Sequence, residues 1–286
     1  MKRYCGRNFS GEQIGQLRDL IADNPGRTRA QLSRSACRLL EWRKADGGLK
    51  QMSCRVAMLR MHREGLLQLP PPRNRKGGSG RIEHTFWSAP QPPLSRPVHA
   101  LPGVHLEPVL SRPDSALWNE YIDRYHYLGY KPLPGAQLRY FACSESRILA
   151  LLGFGAAAWK TAPRDRFIGW RPSERERNLQ LIVNNARFLI LPWVESKNLA
   201  SKLLAMAARQ LPEDWHDRYA YRPVLLETFV DSGRFTGACY KAANWILVGH
   251  TQGRGKLDRD HKADLPTKSI WLYPLSKHFR RSLRST

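Results

Sequence analysis

Two acidic and three aromatic or imidazole side chains are the residues of this sequence best suited to chemistry. Glu227 lies inside the apolar run VLLETFV, and Asp231 follows four residues later. A carboxylate in such a run is buried or lines a cleft, so it needs a partner or a shifted pKa. The pair could hold a divalent ion, with Mg2+ the natural choice, or act as acid and base. The alternative is an ion pair with a nearby arginine. Tyr125, His126 and Tyr127 sit just before Gly129. A tyrosine next to a histidine can attack a phosphodiester with the imidazole as acid or base, or the three can form an aromatic cluster whose polar tips cap the backbone. Tyr240 is a third hydroxyl that could protonate a leaving group. The candidate catalytic set is therefore His126, Tyr127, Glu227, Asp231 and Tyr240, with Glu227 and Asp231 the only metal pair suggested.

The elements that must position these residues read as a mixed α/β pattern. A helix starting at Asp114 carries Leu117, Trp118, Tyr121 and Ile122 and ends at Gly129. Strands are expected over 138–143 and 148–154, joined by a turn at 144–146. Residues 156–170 read as an Arg- and Trp-rich loop and 173–183 as helix. Strand follows over 187–193, helix over 196–210, strand over 223–230, helix over 235–243, strand over 246–251 and a last strand over 270–275.

The first 88 residues read differently. Ser10 with Gln13, and Thr28 with Gln31, are capping boxes ahead of amphipathic segments. A third helix over 50–64 turns Val56, Leu59 and Met61 inward. Strands at 66–69 and 82–87 flank a basic Gly-rich turn. Three helices and such a hairpin make a winged helix-turn-helix. Ser53, Arg55, Arg60 and Arg63 would face the major groove, and Arg73, Arg75, Lys76 and Arg81 would form the wing. Residues 89–113, with seven prolines, read as an extended connector to a domain over 114–286.

Charge supplies the partner. The 286 residues hold 47 Lys and Arg against 24 Asp and Glu, a net charge of +23. The excess is spread over both halves, so nucleic acid is the expected partner rather than a membrane. Duplex DNA would meet the winged helix. Single-stranded DNA would suit Arg164, Arg166, Trp170 and Arg171, whose planes can stack on bases. Asn184, Asn185, Arg187, Lys197, Asn198, Arg254 and Lys256 are further candidates for phosphate or base contact. The five cysteines form no C-x-x-C pair, so neither a disulfide framework nor a zinc ribbon is expected. No apolar run approaches a membrane span, which predicts a cytoplasmic chain.

The strand–helix–strand run ending in CYKAANW at 239–245 resembles the GNAT acyltransferase fold, with Asn244 where that family has glycine. The resemblance implies a general-acid role for Tyr240. It also implies a coenzyme A pyrophosphate site at residues 195–201, where ESKNLAS has no glycine; that departure counts against the cofactor. Over its whole length the chain resembles the DruA family of Druantia anti-phage systems, whose relatives also occur joined to transposases. The runs that carry this are LSRSACRLLEWRKADGGLKQMSCRVAMLRM, YHYLGYKPLPGAQLRYFA, NNARFLILPWVESKNLASKLL, YKAANWILVGHTQGRGK and IWLYPL. The resemblance implies a DNA-directed role alongside other defence proteins. Three readings follow: an enzyme that cleaves or transfers DNA strands, a non-enzymatic DNA-binding component that recruits partners, and an acyltransferase.

Overall fold

The computed structural model describes residues 1–44, 47–72, 82–253 and 266–285. Contacts divide the chain into two compact units, Met1–Gly80 and Arg81–Thr286.

The first unit opens with a hairpin that the sequence did not announce. Strands β1 (Lys2–Tyr4) and β2 (Arg7–Phe9) pair antiparallel around Cys5 and Gly6, both at positive φ. Three helices follow: α1 (Gly11–Ala22), α2 (Arg29–Leu39) and α3 (Gln51–Arg63). Ser10 and Thr28 cap the first two through complete capping boxes with Gln13 and Gln31, as their spacing predicts. One core joins the hairpin to the helices, with Tyr4, Phe9, Leu17, Leu32, Cys37, Trp42, Met58 and Met61 buried. On α3 the inward face is Cys54, Ala57, Met58 and Met61, whereas Val56 is exposed. The two expected wing strands do not form among the described residues. Leu67 and Leu69 pack into the helical core, and the second expected strand runs into a 3-10 turn at Phe86–Ser88. The turn between the expected strands lies at 73–81, outside the described residues.

The second unit is built on a seven-stranded mixed sheet. In chain order its elements are β3 (Leu94–Ser95), β4 (His105–Pro108), α4 (Arg112–Tyr125), β5 (Leu138–Ser144), β6 (Arg147–Ala156), α5 (Ala162–Ile168) and α6 (Pro172–Asn178). There follow β7 (Ile182–Ile190), β8 (Val194–Glu195), α7 (Leu199–Tyr219), β9 (Leu225–Asp231), α8 (Ala238–Ala242), β10 (Ile246–His250), β11 (Lys268–Pro274) and α9 (Phe279–Leu283). The sheet order is β10-β11-β9-β7-β6-β5-β4, and β3 pairs with β8 beside it. All neighbours in the large sheet are antiparallel except β7 and β9, which run parallel.

Several expected boundaries move for identifiable reasons. Residues 89–113, expected as a connector, contain β3 and β4 and bury Leu101, Leu106 and Val109. Proline is compatible with β4 because that strand is at the sheet edge. Helix α4 begins three residues early because Ser111, not Asp114, is the cap: the Ser111 hydroxyl oxygen accepts the Asp114 N–H at 3.1 Å. The expected loop at 156–170 contains α5. Ile182 and Val183, expected in a helix, open β7 and are buried there. Helix α7 continues through Pro212 to Tyr219.

Helices cover both faces of this sheet. On one, Arg139 of β5 donates to Asn119 and Ser115 of α4. On the other, the Tyr140 hydroxyl donates to Asp214 of α7 at 2.8 Å. Gly237, which opens α8 at φ 75°, has the Trp271 indole where a Cβ would sit, 2.6 Å away. Gly237→Ala therefore combines a strained backbone with a steric clash and is expected to cost about 2–4 kcal/mol. Urea denaturation checks this, and an unchanged midpoint would remove the clash from the account.

Candidate functional site

The site begins with a fork. β7 and β9 share only three residue pairs, Ile182↔Leu225, Val183↔Leu226 and Asn184↔Glu227. Beyond them β7 stays with β6 as far as Ile190, while β9 stays with β11. The two strands part, and a cleft of about 790 Å³ opens between them. Its walls are Asn184–Ile190 of β7, Thr228–Asp231 of β9, the chain after α4 at His126–Leu128, and the start of α8 at Gly237, Cys239 and Tyr240. Ala200 on the first turn of α7 and Lys268 of β11 also reach it.

Asn185 organises the inner end. Its side-chain Nδ2 donates to the carbonyls of Gly153, at 3.3 Å, and Arg187, at 3.0 Å. That fixes the amide so that Oδ1 accepts the Tyr240 hydroxyl at 2.8 Å. On the adjacent strand the Thr228 hydroxyl donates to the Asn185 carbonyl at 3.0 Å. Burial pushes the Tyr240 phenol well above its ordinary range, so it stays protonated.

His126 and Tyr127 form the opposite rim. His126 ends α4, and its Nδ1 accepts the Leu128 N–H at 3.2 Å, which leaves the ring proton on Nε2. Burial, helped by the Arg187 charge, holds the imidazole neutral by lowering its pKa to about 4. The two rings stack at 4.9 Å, and Arg234 lies over Tyr127 at 5.1 Å from the ring centre. Tyr127 is 40% exposed; burial and then Asp231 raise its pKa against the pull of Arg187 and Arg234. Asp231 ends β9, where its carbonyl accepts the N–H groups of Arg234 and Phe235 and its carboxylate accepts the Gly233 N–H at 3.1 Å. It is the one carboxylate lining the cleft among the described residues.

Of the five candidate catalytic residues, the cleft brings together His126, Tyr127, Asp231 and Tyr240. Glu227 does not join them. Its two oxygens accept the Ala158 N–H at 2.7 Å and Arg164 Nη1 at 2.8 Å, with both side chains fully buried. Arg164 is further held by Asp165 at 2.8 Å and the Ala158 carbonyl at 2.7 Å. The expected Glu227–Asp231 metal pair is thus replaced by an ion pair. For the same reason Arg164 cannot stack on a base, and Trp170, buried beneath it, cannot either. Arg166 and Arg171 are exposed.

The remaining candidates divide by exposure. Arg60 and Arg63 project from α3 into solvent, while Ser53 and Arg55 are half-buried. Lys197 and Asn198 are exposed where the chain enters α7. Arg73, Arg75, Lys76, Arg81, Arg254 and Lys256 lie outside the described residues. Sequence reasoning missed Phe188, Phe235 and Lys268 as cleft residues; only the pairing of distant strands brings them together.

Among the described residues, two buried polar atoms of the cleft have no hydrogen-bond partner, Asn184 Oδ1 and Arg187 Nε, and Ser196 Oγ ahead of α7 has none either. Such orphans are uncommon and point to a ligand or solvent contact. The glycine-free entry to α7 still makes the turn expected of glycine: Asn198 takes the left-handed conformation at φ 67°. A second cavity of about 450 Å³ borders the same helix end, lined in part by Asn198, Ser201, Lys202, Arg209 and Asn244.

Fold and cleft together define a mixed-sheet α/β protein with a ligand-sized opening at a strand splay. The family model of the Druantia protein DruA matches residues 60–263, and the chain belongs to that family. None of the curated proteins matches it. Solved structures with a similar chain path include acetyltransferases. An aminoglycoside acetyltransferase in complex with coenzyme A is 16% identical, over 63% of this chain and 98% of that one, at a TM-score of 0.39. A Bacillus subtilis acetyltransferase in complex with coenzyme A is 8% identical, over 60% and 99%, at 0.35. A Salmonella typhimurium protein solved with acetyl-CoA is 14% identical, over 50% of this chain and 66% of that one, at 0.32. Scores of this size carry no argument about activity. Among the described residues no helix is long and apolar enough to cross a membrane.

Two outcomes test this description. Arg164→Ala leaves Glu227 buried without its partner and is expected to cost about 3–5 kcal/mol in chemical denaturation, whereas the apolar pair Arg164→Met with Glu227→Leu costs less. A loss of function in Arg164→Ala with unchanged stability would return Glu227 to a direct chemical role. The depressed His126 pKa means the unfolded chain binds the proton first, so stability is full above about pH 6.5 and falls toward pH 4. By pH 5 the loss is about 2 kcal/mol, and His126→Gln should flatten that part of the stability–pH curve.

Proposed function

We propose that the second unit is a group-transfer domain that takes an extended thioester of the coenzyme A kind between β7 and β9. It would serve a DNA-directed protein of anti-phage defence. The observation that carries this reading is the fork: beyond Asn184, β7 has no strand partner on its β9 side among the described residues, and the gap is largely apolar. An open strand edge can pair with the amides of an extended ligand arm.

The residues present fit such a ligand. Asn198 supplies the turn into α7, and the N-terminus of that 21-residue helix favours phosphate. Ser196 Oγ is a buried hydroxyl without a partner at that turn. Lys202 and Arg209 in the adjoining cavity suit further negative charge. When bound, the thioester supplies an activated acyl group with a thiolate as leaving group. Tyr240, kept protonated by burial and oriented by Asn185, is the proton source nearest the fork. His126 offers an Nε2–H donor, and Asp231 with Tyr127 lines the side from which an acceptor would enter. The net charge of +23 supports a nucleic acid, or a protein bound to it, as the thing brought to this site.

Strand cleavage is the second reading. One observation favours it: Tyr127 is exposed beside Arg187 and Arg234, which could hold a phosphate. Two count against it: Glu227 is engaged by Arg164, and Tyr127 is pushed away from the phenolate.

Titration calorimetry with acetyl-CoA should give saturable binding. Tyr240→Phe should keep that affinity while lowering acyl transfer about 100-fold. No binding at millimolar acetyl-CoA, together with nicking of labelled DNA that Tyr127→Phe abolishes, would replace the first reading with the second. Intact DNA with retained binding and no transfer would leave a recruiting component. Duplex affinity that runs through phosphates should fall linearly with log salt.

A further inference from the structure

A cluster at the far edge of the sheet, three strands from the fork, belongs to none of this. His105 and Glu107 lie two residues apart on β4, so both project from the same face of the edge strand. Cys143 on β5 stands directly opposite His105 in the strand register. The imidazole nitrogen, carboxylate oxygen and thiol sulfur all lie within 4.8 Å of one another. His105 Nε2 and Glu107 Oε1 are 2.8 Å apart.

We propose that His105, Glu107 and Cys143 form a binding site for a zinc-class divalent cation. The donor set of one nitrogen, one oxygen and one sulfur suits zinc and cobalt and does not suit magnesium or calcium, which take oxygen alone. Tetrahedral zinc holds its ligands about 3.5 Å apart, from bond lengths of about 2.0–2.3 Å. The present spacing reaches that with small side-chain movements. The ring is already oriented: His105 Nδ1 donates to the Gly103 carbonyl at 2.7 Å, and Nε2 donates to Glu107 at 2.8 Å, where a metal ion would take the place of the proton between them. Residue exposure is graded in the way a surface metal site needs. Cys143 is buried at the base, while His105 and Glu107 are open to solvent, which provides a way in and a fourth position for water.

Binding changes the protonation of the base. Burial, with the neighbouring Glu107 carboxylate, raises the Cys143 thiol to about 12, so the free site holds a thiol. The cation must displace two protons, one from the Cys143 thiol and one from His105 Nε2: the S–H and N–H bonds break, the sulfur–metal and nitrogen–metal bonds form, and both protons pass to solvent. The bound ion would tie β4 to β5 and so fasten the sheet edge.

Cobalt(II) is the direct probe, because a cysteine ligand adds a thiolate-to-metal charge-transfer band to its spectrum. Full-length protein, stripped with chelator and titrated with Co2+, should show that band at one equivalent, and Zn2+ should displace it. Cys143→Ala should abolish the band. His105→Gln, an exposed change that leaves folding intact, should weaken binding at least 10-fold. Zn2+ should raise the melting temperature of the parent and not of His105→Gln. The site is overturned if no band appears, or if the band persists in Cys143→Ala, which would place the metal on another of the five cysteines.

Discussion

Three parallel residue pairs between β7 and β9 are the constraint on which this molecule turns. Every other neighbour in the sheet is joined along a longer antiparallel ladder, so each half of the sheet is stiff. The joint between the halves is short, and the strands leave it in different directions. Glu227 belongs to the last of the three pairs. Its carboxylate is locked on one face by Arg164 and Ala158. The next residue, Thr228, hydrogen-bonds Asn185 on the other face, where Asn185 also receives Tyr240. The crotch of the fork is therefore fastened from both sides, and the cleft beyond it can stay open without loosening the sheet. Glu227 serves the cleft by holding its floor rather than by facing its contents.

How much of this was legible depended on the reach of each signal. Local signals were read well: the capping boxes at Ser10 and Thr28, the turn between β5 and β6, and the apolar runs of β5, β6 and β9. Short elements escaped. Three-residue strands such as β1 and β2 have no period to detect, and α5 is too brief to separate from a loop. Proline misled in both directions, because Pro212 sits inside α7 and Pro108 sits inside an edge strand. Glu227 was recognisable as a carboxylate that must be buried and partnered. Which partner it had could not be read, since Arg164 is far away in sequence and reaches it only through the sheet.

The candidate site was legible as a list and not as a place. His126 with Tyr127, Asp231 and Tyr240 come from three separate places along the chain, and the cleft between β7 and β9 brings them together. Alternation along β9 put Asp231 on the same side as Glu227, yet only Asp231 reaches the cleft, because Glu227 is held by Arg164 and Ala158. At the entry to α7, Asn198 adopts the conformation that the missing glycine suggested was lost. Composition pointed to an anion while the local pattern pointed to a small-molecule cleft, and the proposed thioester, which carries phosphates of its own, would account for both.

The short parallel joint also sets an order of assembly. β4, β5, β6 and β7 can pair with near neighbours in the chain as each appears, but β9 reaches β7 only after the whole of α7 has been laid down and docked. Contacts across such a span carry a loop-closure cost that must be met before they give anything back. Until then Arg164 has no Glu227 and the open edge of β7 has no neighbour. The fork thus closes only once β9 is in place, and β11, which comes still later in the chain, must then pair with β9 before the sheet is complete.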